Sequence, residues 1–186
     1  VYTPAIPAAH QGLQWYQRNG YLVLKRSDVL GAISASSFNI CIGGTHGKTT
    51  VSAIIAHILR HSGYGCNAFL GGIAANYNSN FWSSAKNVSV IEADEYDRSF
   101  LKLSPDIAVI TAMDADHLDI YKTEAALQEA FVQFGERVKE GGLLLTKFGL
   151  KGARNMKVSR RLTYSATNDA ADAFAAAVQA ENGGYN

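Results

Sequence analysis

A lysine and two threonines follow a glycine-rich turn in the segment CIGGTHGKTT, residues 41–50. Glycines let backbone N–H groups turn towards an anion, and a lysine followed by a hydroxyl suits a phosphate and its Mg²⁺ ion. The full P-loop pattern G-x-x-x-x-G-K-[ST] would need glycine at position 42, where the chain has Ile42. The segment therefore indicates a shorter phosphate-binding loop, and a strand-to-helix turn with a solvated lysine is the alternative.

The elements on either side of this loop favour the phosphate site. An apolar run, residues 38–43, precedes it, and apolar residues at helical spacing follow it. We expect Lys48 to reach the β- and γ-phosphates and the Thr49 hydroxyl to coordinate Mg²⁺. His46 could contact either phosphate or substrate. The residues predicted to bind ATP are Gly44, Thr45, His46, Gly47, Lys48, Thr49 and Thr50.

Carboxylates follow a second apolar strand, VSVIE at 88–92, in the segment EADEYD. Such charges repel one another unless a metal or a basic group lies nearby, and a solvated acidic loop is the alternative. Glu92 departs most clearly from that alternative, because it ends the apolar strand itself. The cluster consists of Glu92, Asp94, Glu95 and Asp97.

A histidine follows a third apolar strand, DIAVIT at 106–111. His117 lies between Asp116 and Asp119, which makes it a candidate metal ligand or proton carrier, although a lone histidine is more often structural. Ligands of parallel sheets bind outside the carboxyl ends of the strands. We therefore predict that Lys48, Glu92 and His117 share one pocket.

Composition excludes several other classes of protein. The chain has 186 residues, 47% of them hydrophobic and 18% charged, with a net charge of +1, as expected of a soluble globular protein. We predict no nucleic-acid partner and no membrane span. Cys41 and Cys66 are interpreted as reduced thiols of a cytoplasmic protein. His57 and His61 have i,i+4 spacing, but zinc is not predicted because no third ligand is evident.

Strands alternate with helices from residue 36 onwards, which predicts an α/β domain. We expect a mostly parallel sheet flanked by helices on both faces, as in P-loop NTPases. Residues 1–35 are interpreted as the tail of a preceding Rossmann-like domain, with strands VYT and YLVLK and a helix capped by Ser27. Residues 169–182 suit either a helix or a strand.

Taken together, GTHGKTT, EADEYD and DADHLDIY resemble the motifs of the ATP-dependent Mur ligases of peptidoglycan synthesis. That family uses G-x-x-G-K-[ST], which here runs from Gly44 to Thr49. The resemblance implies that residues 1–35 are the C-terminal part of a UDP-sugar-binding domain and that residues 36–186 are an incomplete central ATP-binding domain. A third domain of the same polypeptide is then expected elsewhere, and the chain alone is expected to bind nucleotide weakly and not to ligate.

The resemblance also implies a reaction. ATP would phosphorylate the carboxylate of UDP-N-acetylmuramate, and the amino group of L-alanine would attack the acyl phosphate. Lys48 would steady the γ-phosphate, Thr49 would hold a first Mg²⁺ ion, Glu92 would bridge two metal ions, and His117 would bind the second. Ala112 stands where the family often has asparagine, so one polar contact would be absent or supplied elsewhere.

Other activities share some of these motifs. A ligase that attaches a murein tripeptide to UDP-N-acetylmuramate fits EADEYD, whereas DADHLDIY favours the addition of alanine. A non-catalytic ATP-binding module would need neither the acidic cluster nor His117. A small-molecule kinase would share the loop but would leave residues 1–35 unexplained.

Overall fold

The main feature of the computed structural model is an eight-stranded sheet. The structure describes residues 1–3, 5–114, 118–176, 180–181 and 184–185. The strands of the sheet are β1 Phe38–Gly43, β2 Asn67–Ala74, β3 Ser79–Trp82, β4 Val88–Glu92, β5 Ile107–Ile110, β6 Leu143–Lys147, β7 Arg161–Ser165 and β8 Ala173–Phe174. Two short strands, β9 Ala180–Glu181 and β10 Gly184–Tyr185, pair separately.

Helices connect the strands and cover the sheet. The α-helices are α1 Gln11–Arg18, α2 Arg26–Ser36, α3 Lys48–His61, α4 Leu118–Tyr121 and α5 Glu124–Glu136. Short 3₁₀ turns occupy Ala75–Tyr77, Ser99–Lys102 and Ala153–Asn155. In the described part of the chain, no helix combines the length and the apolar character needed to cross a membrane.

The strand order is β3-β2-β4-β1-β5-β6-β7-β8, and every pair is parallel except β2 with β3. Within the sheet, β2 and β4 lie to one side of β1, and β5 lies to the other, so the direction in which strands are added reverses at β1. Ligands of open α/β sheets bind at such a reversal, beyond the carboxyl ends of the strands. The register sets Ile42 beside Glu92 and Gly43 beside Ile110 at this edge.

The core lies on both faces of the central strands. Successive side chains of a strand point to opposite faces, and Cys41 and Ile42 of β1 accordingly belong to different hydrophobic clusters. Phe131 and Phe134 of α5 pack in the first cluster, and Ala56 of α3 packs in the second. Each large side chain buried in this way contributes about 1.5–3 kcal/mol. The predicted parallel sheet with helices on both faces is confirmed.

The first 35 residues differ in detail from the prediction. YLVLK does not form a strand, because only Lys25 pairs, in an isolated parallel bridge with Tyr2. The cap of α2 is Lys25, and the prediction of Ser27 was wrong by two residues. The Lys25 N–H donates to the carboxylate of Asp28 at 3.0 Å, which fixes this earlier start. Leu30 of α2 is buried in the core cluster that contains α5.

Short strands occur among the described residues near the C-terminus. Ala173 pairs with Tyr164 in parallel register. The carboxylate of Asp172 accepts hydrogen bonds from the N–H and the hydroxyl of Thr163, both at 2.7 Å. These bonds tie the segment to β7 and leave no helix at 173–174, despite the alanine-rich sequence. Strands β3 and β7 were not predicted, because their polar residues hide the apolar pattern, and the two-residue strand β10 was not predicted either.

Candidate active site

Three loops meet at the carboxyl ends of β1, β4 and β5. The N–H of Thr45 donates to the carbonyl oxygen of Ala112 at 3.1 Å, which links the glycine loop to the loop after β5. The N–H of Ala93 donates to the carbonyl oxygen of Ile42 at 2.8 Å, which links the loop after β4 to β1. Segments that are far apart in sequence therefore meet at one edge of the sheet.

The glycine loop has a shape that requires glycine where it passes β5. Gly44 has a φ of +138°, and a Cβ there would lie 2.1 Å from Oγ1 of Thr111. Gly47, with a φ of +81°, is the N-cap of α3. The 14-residue helix α3 therefore directs its N-terminal N–H groups and the positive end of its dipole at the loop.

Thr111, directly after β5, supports the glycine loop. The sequence-based prediction did not include this role. Its hydroxyl lies within hydrogen-bond distance of the carbonyl oxygens of Gly43 and His46. Thr45 is buried, and its Oγ1 accepts from the N–H of Asp114 at 3.2 Å. Thr45 thus holds two loops together through its side chain, while the side chain of His46 is exposed beside the loop.

Lys48 begins α3, and its ammonium group has two acceptors. Nζ donates to the carbonyl oxygen of Gly44 at 2.8 Å and to Oε1 of Glu95 at 2.8 Å. The first contact folds the side chain back over the glycine loop, where a bound phosphate would lie. The second contact gives one carboxylate of the acidic cluster a defined cationic neighbour, which the sequence had not indicated.

Glu92 faces the first turns of α3. Oε1 accepts from the hydroxyl of Thr49 at 2.9 Å, and Oε2 accepts from the N–H of Gly71 at 2.7 Å. Oε2 also lies 3.4 Å from the hydroxyl of Ser52. A Cβ at Gly71 would lie 2.3 Å from Oε1, so this glycine makes room for the carboxylate. Thr50 is exposed on the same turn of α3 as Thr49.

The pair Thr49 and Glu92 suits a magnesium ion. Both side chains supply the hard oxygen ligands that Mg²⁺ prefers, and this ion usually takes only one or two carboxylates and completes its shell with phosphate oxygens and water. Within the described ranges, no group of three or more His, Cys, Asp or Glu side chains is arranged to hold a metal. His117, the third residue of the predicted pocket, lies outside the described residues.

The two aspartates of the acidic segment shape their own loop. The carboxylate of Asp94 accepts from the N–H of Tyr96 at 3.0 Å, and that of Asp97 accepts from the N–H of Ser99 at 3.0 Å. Both aspartates also line a cavity of about 430 Å³ beside Glu92. Arg26 of α2 lines the same cavity, so a cationic side chain stands near the carboxylates.

Tyr121 of α4 contacts the loop that follows β4. Its hydroxyl donates to the carbonyl oxygen of Glu95. Burial raises the pKa of Tyr121 to about 12, so the hydroxyl keeps its proton at neutral pH. The guanidinium of Arg98 lies 5.2 Å from the centroid of the tyrosine ring. The backbone of Glu95 is therefore held in place where its carboxylate meets Lys48.

Ala112 stands where the family resemblance implied that one polar contact is absent or supplied elsewhere. Its carbonyl oxygen accepts the hydrogen bond from Thr45, and its methyl side chain offers no polar atom. Nδ1 of His57, in α3, lies 2.7 Å from the hydroxyl of Tyr77, and the His57 ring stacks on that of His61.

Residues 42–186 match the model of the Mur ligase middle domain. The chain is 45% identical, over its whole length, to the UDP-N-acetylmuramate–L-alanine ligase of Flavobacterium johnsoniae, of which it covers 39%. It is also 45% identical, over 98% of its length, to the ligase of the same name from Porphyromonas gingivalis, of which it covers 41%. The chain thus spans about two fifths of the length of these relatives.

Solved structures share the fold at lower identity. The UDP-N-acetylmuramate:L-alanyl-gamma-D-glutamyl-meso-diaminopimelate ligase from Neisseria meningitides has a TM-score of 0.74 at 21% identity, over 86% of this chain and 56% of that one. The UDP-N-acetylmuramate-alanine ligase from Thermotoga maritima has a TM-score of 0.72 at 24% identity, over 89% and 38%. The MurF ligase from Thermotoga maritima in complex with ADP has a TM-score of 0.60 at 19% identity, over 77% and 38%.

Proposed function

The chain belongs to the Mur ligase family, and from that premise we propose that the protein containing it joins L-alanine to UDP-N-acetylmuramate with the hydrolysis of ATP. The observation that carries the proposal is the meeting of Lys48, Thr49 and Glu92 at one edge of the sheet. Two relatives named UDP-N-acetylmuramate–L-alanine ligase, each 45% identical to this chain, support the same substrates. The protein would act in the cytoplasm, where ATP is available and buried cysteines stay reduced.

The proposed reaction has two steps. The γ-phosphoryl group of ATP first moves to a carboxylate oxygen of UDP-N-acetylmuramate, and ADP leaves. The amino group of L-alanine then attacks the acyl carbon, so that a C–N bond forms, the C–O bond to phosphate breaks, and the amine proton passes to solvent. Charge moves among phosphate oxygens in the first step, so positioning and cations dominate the catalysis.

Each residue of the site has a part in that first step. The N–H groups of residues 44–50 and the ammonium of Lys48 would bind and orient the phosphates. Thr49 and Glu92 would hold a Mg²⁺ ion, which supplies charge neutralisation at the phosphate oxygens. We assign a second metal site to His117, as the family motif implies. Glu92 would contribute to both sites.

The cavity beside Glu92 suits the substrate that carries the carboxylate. Arg26 and Ser27 of α2 line it together with Glu92. A guanidinium group forms strong, oriented hydrogen bonds with a carboxylate. This placement supports the division of the chain into residues 1–35, the end of a UDP-sugar-binding domain, and residues 36–186, the central ATP-binding domain, although α2 also packs on the central core through Leu30.

An acceptor assay tests the proposal. The complete polypeptide is supplied with ATP, Mg²⁺ and UDP-N-acetylmuramate, and ADP release is measured with L-alanine or with the murein tripeptide. We expect turnover that depends on L-alanine and is lost in Lys48→Met. Turnover that requires the tripeptide and does not occur with L-alanine would show that the tripeptide is the acceptor. ADP binding without any acceptor-dependent turnover would indicate that the protein is a non-catalytic nucleotide-binding module.

A further inference from the structure

The ion pair between Lys48 and Glu95 is enclosed within the site. Nζ lies 2.8 Å from Oε1, the Glu95 side chain has 0% exposed surface, and the Lys48 side chain keeps 15%. Exposed ion pairs are weakened by water and salt, but an enclosed pair is screened much less. The state of this pair therefore affects how readily Lys48 can bind another anion.

Glu95 is the fixed member of the pair, and Lys48 is the mobile one. The carbonyl oxygen of Glu95 accepts from the hydroxyl of Tyr121 and from the N–H of Arg98, the latter at 2.9 Å. Lys48 has a flexible four-carbon stem and a compact ammonium group with three donors. The Glu95 side chain is also fully buried, so its carboxylate has little room to follow when the ammonium moves towards a ligand.

A phosphate on Lys48 would be a second anion beside the same ammonium group. Two anions that each contact Nζ at hydrogen-bond distance are separated by less than about 6 Å, and like charges at that separation repel strongly in a partly buried site. If Lys48 instead moves onto the phosphate, the Glu95 carboxylate stays buried with less compensation, which is also costly. Both routes lower the affinity of the loop for phosphate.

We infer that Glu95 is a positioning residue that competes with phosphate for Lys48 and thereby lowers the affinity of the site for ADP. This inference rests on the phosphate-binding role of Lys48 proposed above. The carboxylate holds the ammonium over the glycine loop, next to the carbonyl oxygen of Gly44. In the ADP complex it favours the return of Lys48, which promotes the release of the product nucleotide.

A double-mutant cycle separates competition from simple charge repulsion. Dissociation constants for Mg²⁺–ADP are measured by calorimetry on the complete polypeptide as the wild type, Glu95→Gln, Lys48→Met and the double variant. Glutamine keeps the size and an acceptor oxygen of Glu95 but loses its charge. We expect Glu95→Gln to bind ADP about ten-fold more tightly, or about 1.4 kcal/mol, and to gain clearly less in the Lys48→Met background.

Other outcomes overturn the inference. Unchanged or weaker binding by Glu95→Gln would show that the carboxylate does not compete, and an equal gain in both backgrounds would show plain repulsion that does not act through Lys48. Failure of the wild type to bind ADP at all would overturn the proposed function as well, so the two failures are distinguishable. Glu129→Gln, an exposed glutamate of α5, is the matched control and should bind like the wild type.

A crystal structure keeps the inference falsifiable if Glu95→Gln does not fold. The wild-type protein is crystallised with Mg²⁺–ADP, and the distance from Nζ of Lys48 to the Glu95 carboxylate is measured. Competition requires a separation beyond about 4 Å, the limit of an ion pair. An ADP complex in which the 2.8 Å contact persists would overturn the inference.

Discussion

The hydroxyl of Thr49 donates a hydrogen bond of 2.9 Å to the carboxylate of Glu92, across 43 residues of sequence. The contact joins the first turn of α3 to the end of β4, and it places a hydroxyl and a carboxylate where Mg²⁺ and a phosphate chain would meet. Glu92 at the end of β4 is thereby connected to the first turn of α3, directly after the glycine loop.

Replacement of Glu92 by glutamine should weaken magnesium-dependent ADP binding. The amide keeps an acceptor for Thr49 but removes the negative charge that a divalent cation needs. Loss of one charge-assisted interaction is worth about 1.5–3 kcal/mol, so we expect a decrease of roughly 10- to 100-fold with Mg²⁺ present. Binding measured in EDTA should change little. Equal losses with and without Mg²⁺ would contradict a metal-binding role for Glu92.

Replacement of Gly71 by alanine should displace the Glu92 carboxylate. The added methyl group would lie 2.3 Å from Oε1 of Glu92, whereas a methyl group at Gly72 would meet only a Thr49 methyl carbon at 3.1 Å. Overpacking of this kind costs about 1–3 kcal/mol. We expect Gly71→Ala to lose both stability and magnesium-dependent ADP binding, and Gly72→Ala to lose much less of either. Urea denaturation measures the stability of the two variants, and calorimetry measures their ADP binding. Similar losses in both variants would refute the close approach between Gly71 and the Glu92 carboxylate.

These contacts show which parts of the site can be predicted from sequence. Lys48 and Thr49 were predicted because they follow a glycine-rich turn between an apolar run and a helical pattern, and Glu92 because it ends an apolar run, which is unusual for a solvated loop. Gly71 acts through its N–H and through the absence of a side chain, and nothing in its residue type signals a contact with Glu92. Thr111 likewise supports the loop through pairings that only the sheet order creates.

The acidic segment shows the same limit more clearly. In the sequence, Asp94, Glu95 and Asp97 are equivalent carboxylates after one strand. In the structure, the two aspartates bind N–H groups of their own loop, whereas Glu95 is buried against Lys48. Three-dimensional placement alone distinguishes them. The strand expected at YLVLK is absent for a related reason, because strand propensity needs a neighbouring strand and Lys25 alone pairs, in an isolated bridge with Tyr2.

Replacement of Tyr121 by phenylalanine should loosen the loop that carries Glu95. The hydrogen bond from the hydroxyl to the Glu95 carbonyl oxygen is lost, which costs about 1 kcal/mol in the free energy of unfolding. Because burial raises the folded-state pKa of Tyr121 from 10 to about 12, the unfolded chain loses this proton first as pH rises. The stabilisation is therefore complete below pH 10 and declines between pH 10 and 12.

The measurement is a pair of urea titrations, of the wild type and Tyr121→Phe, from pH 8 to pH 12. Every other residue is the same in both proteins, so the difference in unfolding free energy isolates Tyr121. We expect that difference to shrink above pH 10. A difference that stays constant to pH 12 would show that the folded protein does not hold this proton more tightly.

The two cysteines should resist thiol reagents in the folded protein. Cys41 and Cys66 are both free and buried, and burial raises the pKa of each thiol. The reactive thiolate is therefore scarce at pH 8, and a reagent has no access to it. Ellman's reagent should label neither cysteine in native buffer and both in urea. Cys41→Ala should reduce the count in urea by one, and rapid labelling of the native wild type would contradict the burial.

Alanine at Gly44 and at Gly47 should differ sharply in effect, although both glycines have positive φ angles in one loop. At Gly44 the new Cβ would lie 2.1 Å from Oγ1 of Thr111 and 2.9 Å from the backbone nitrogen of Ala112, neither of which can move without disturbing the end of β5. We expect a loss of about 3–5 kcal/mol and no measurable ADP binding. At Gly47 no atom lies within 4 Å of the new Cβ, so only the left-handed backbone costs energy, about 1–2 kcal/mol. Urea denaturation and ADP calorimetry on the two variants decide the point, because equal losses would mean that the loop does not rest against Thr111.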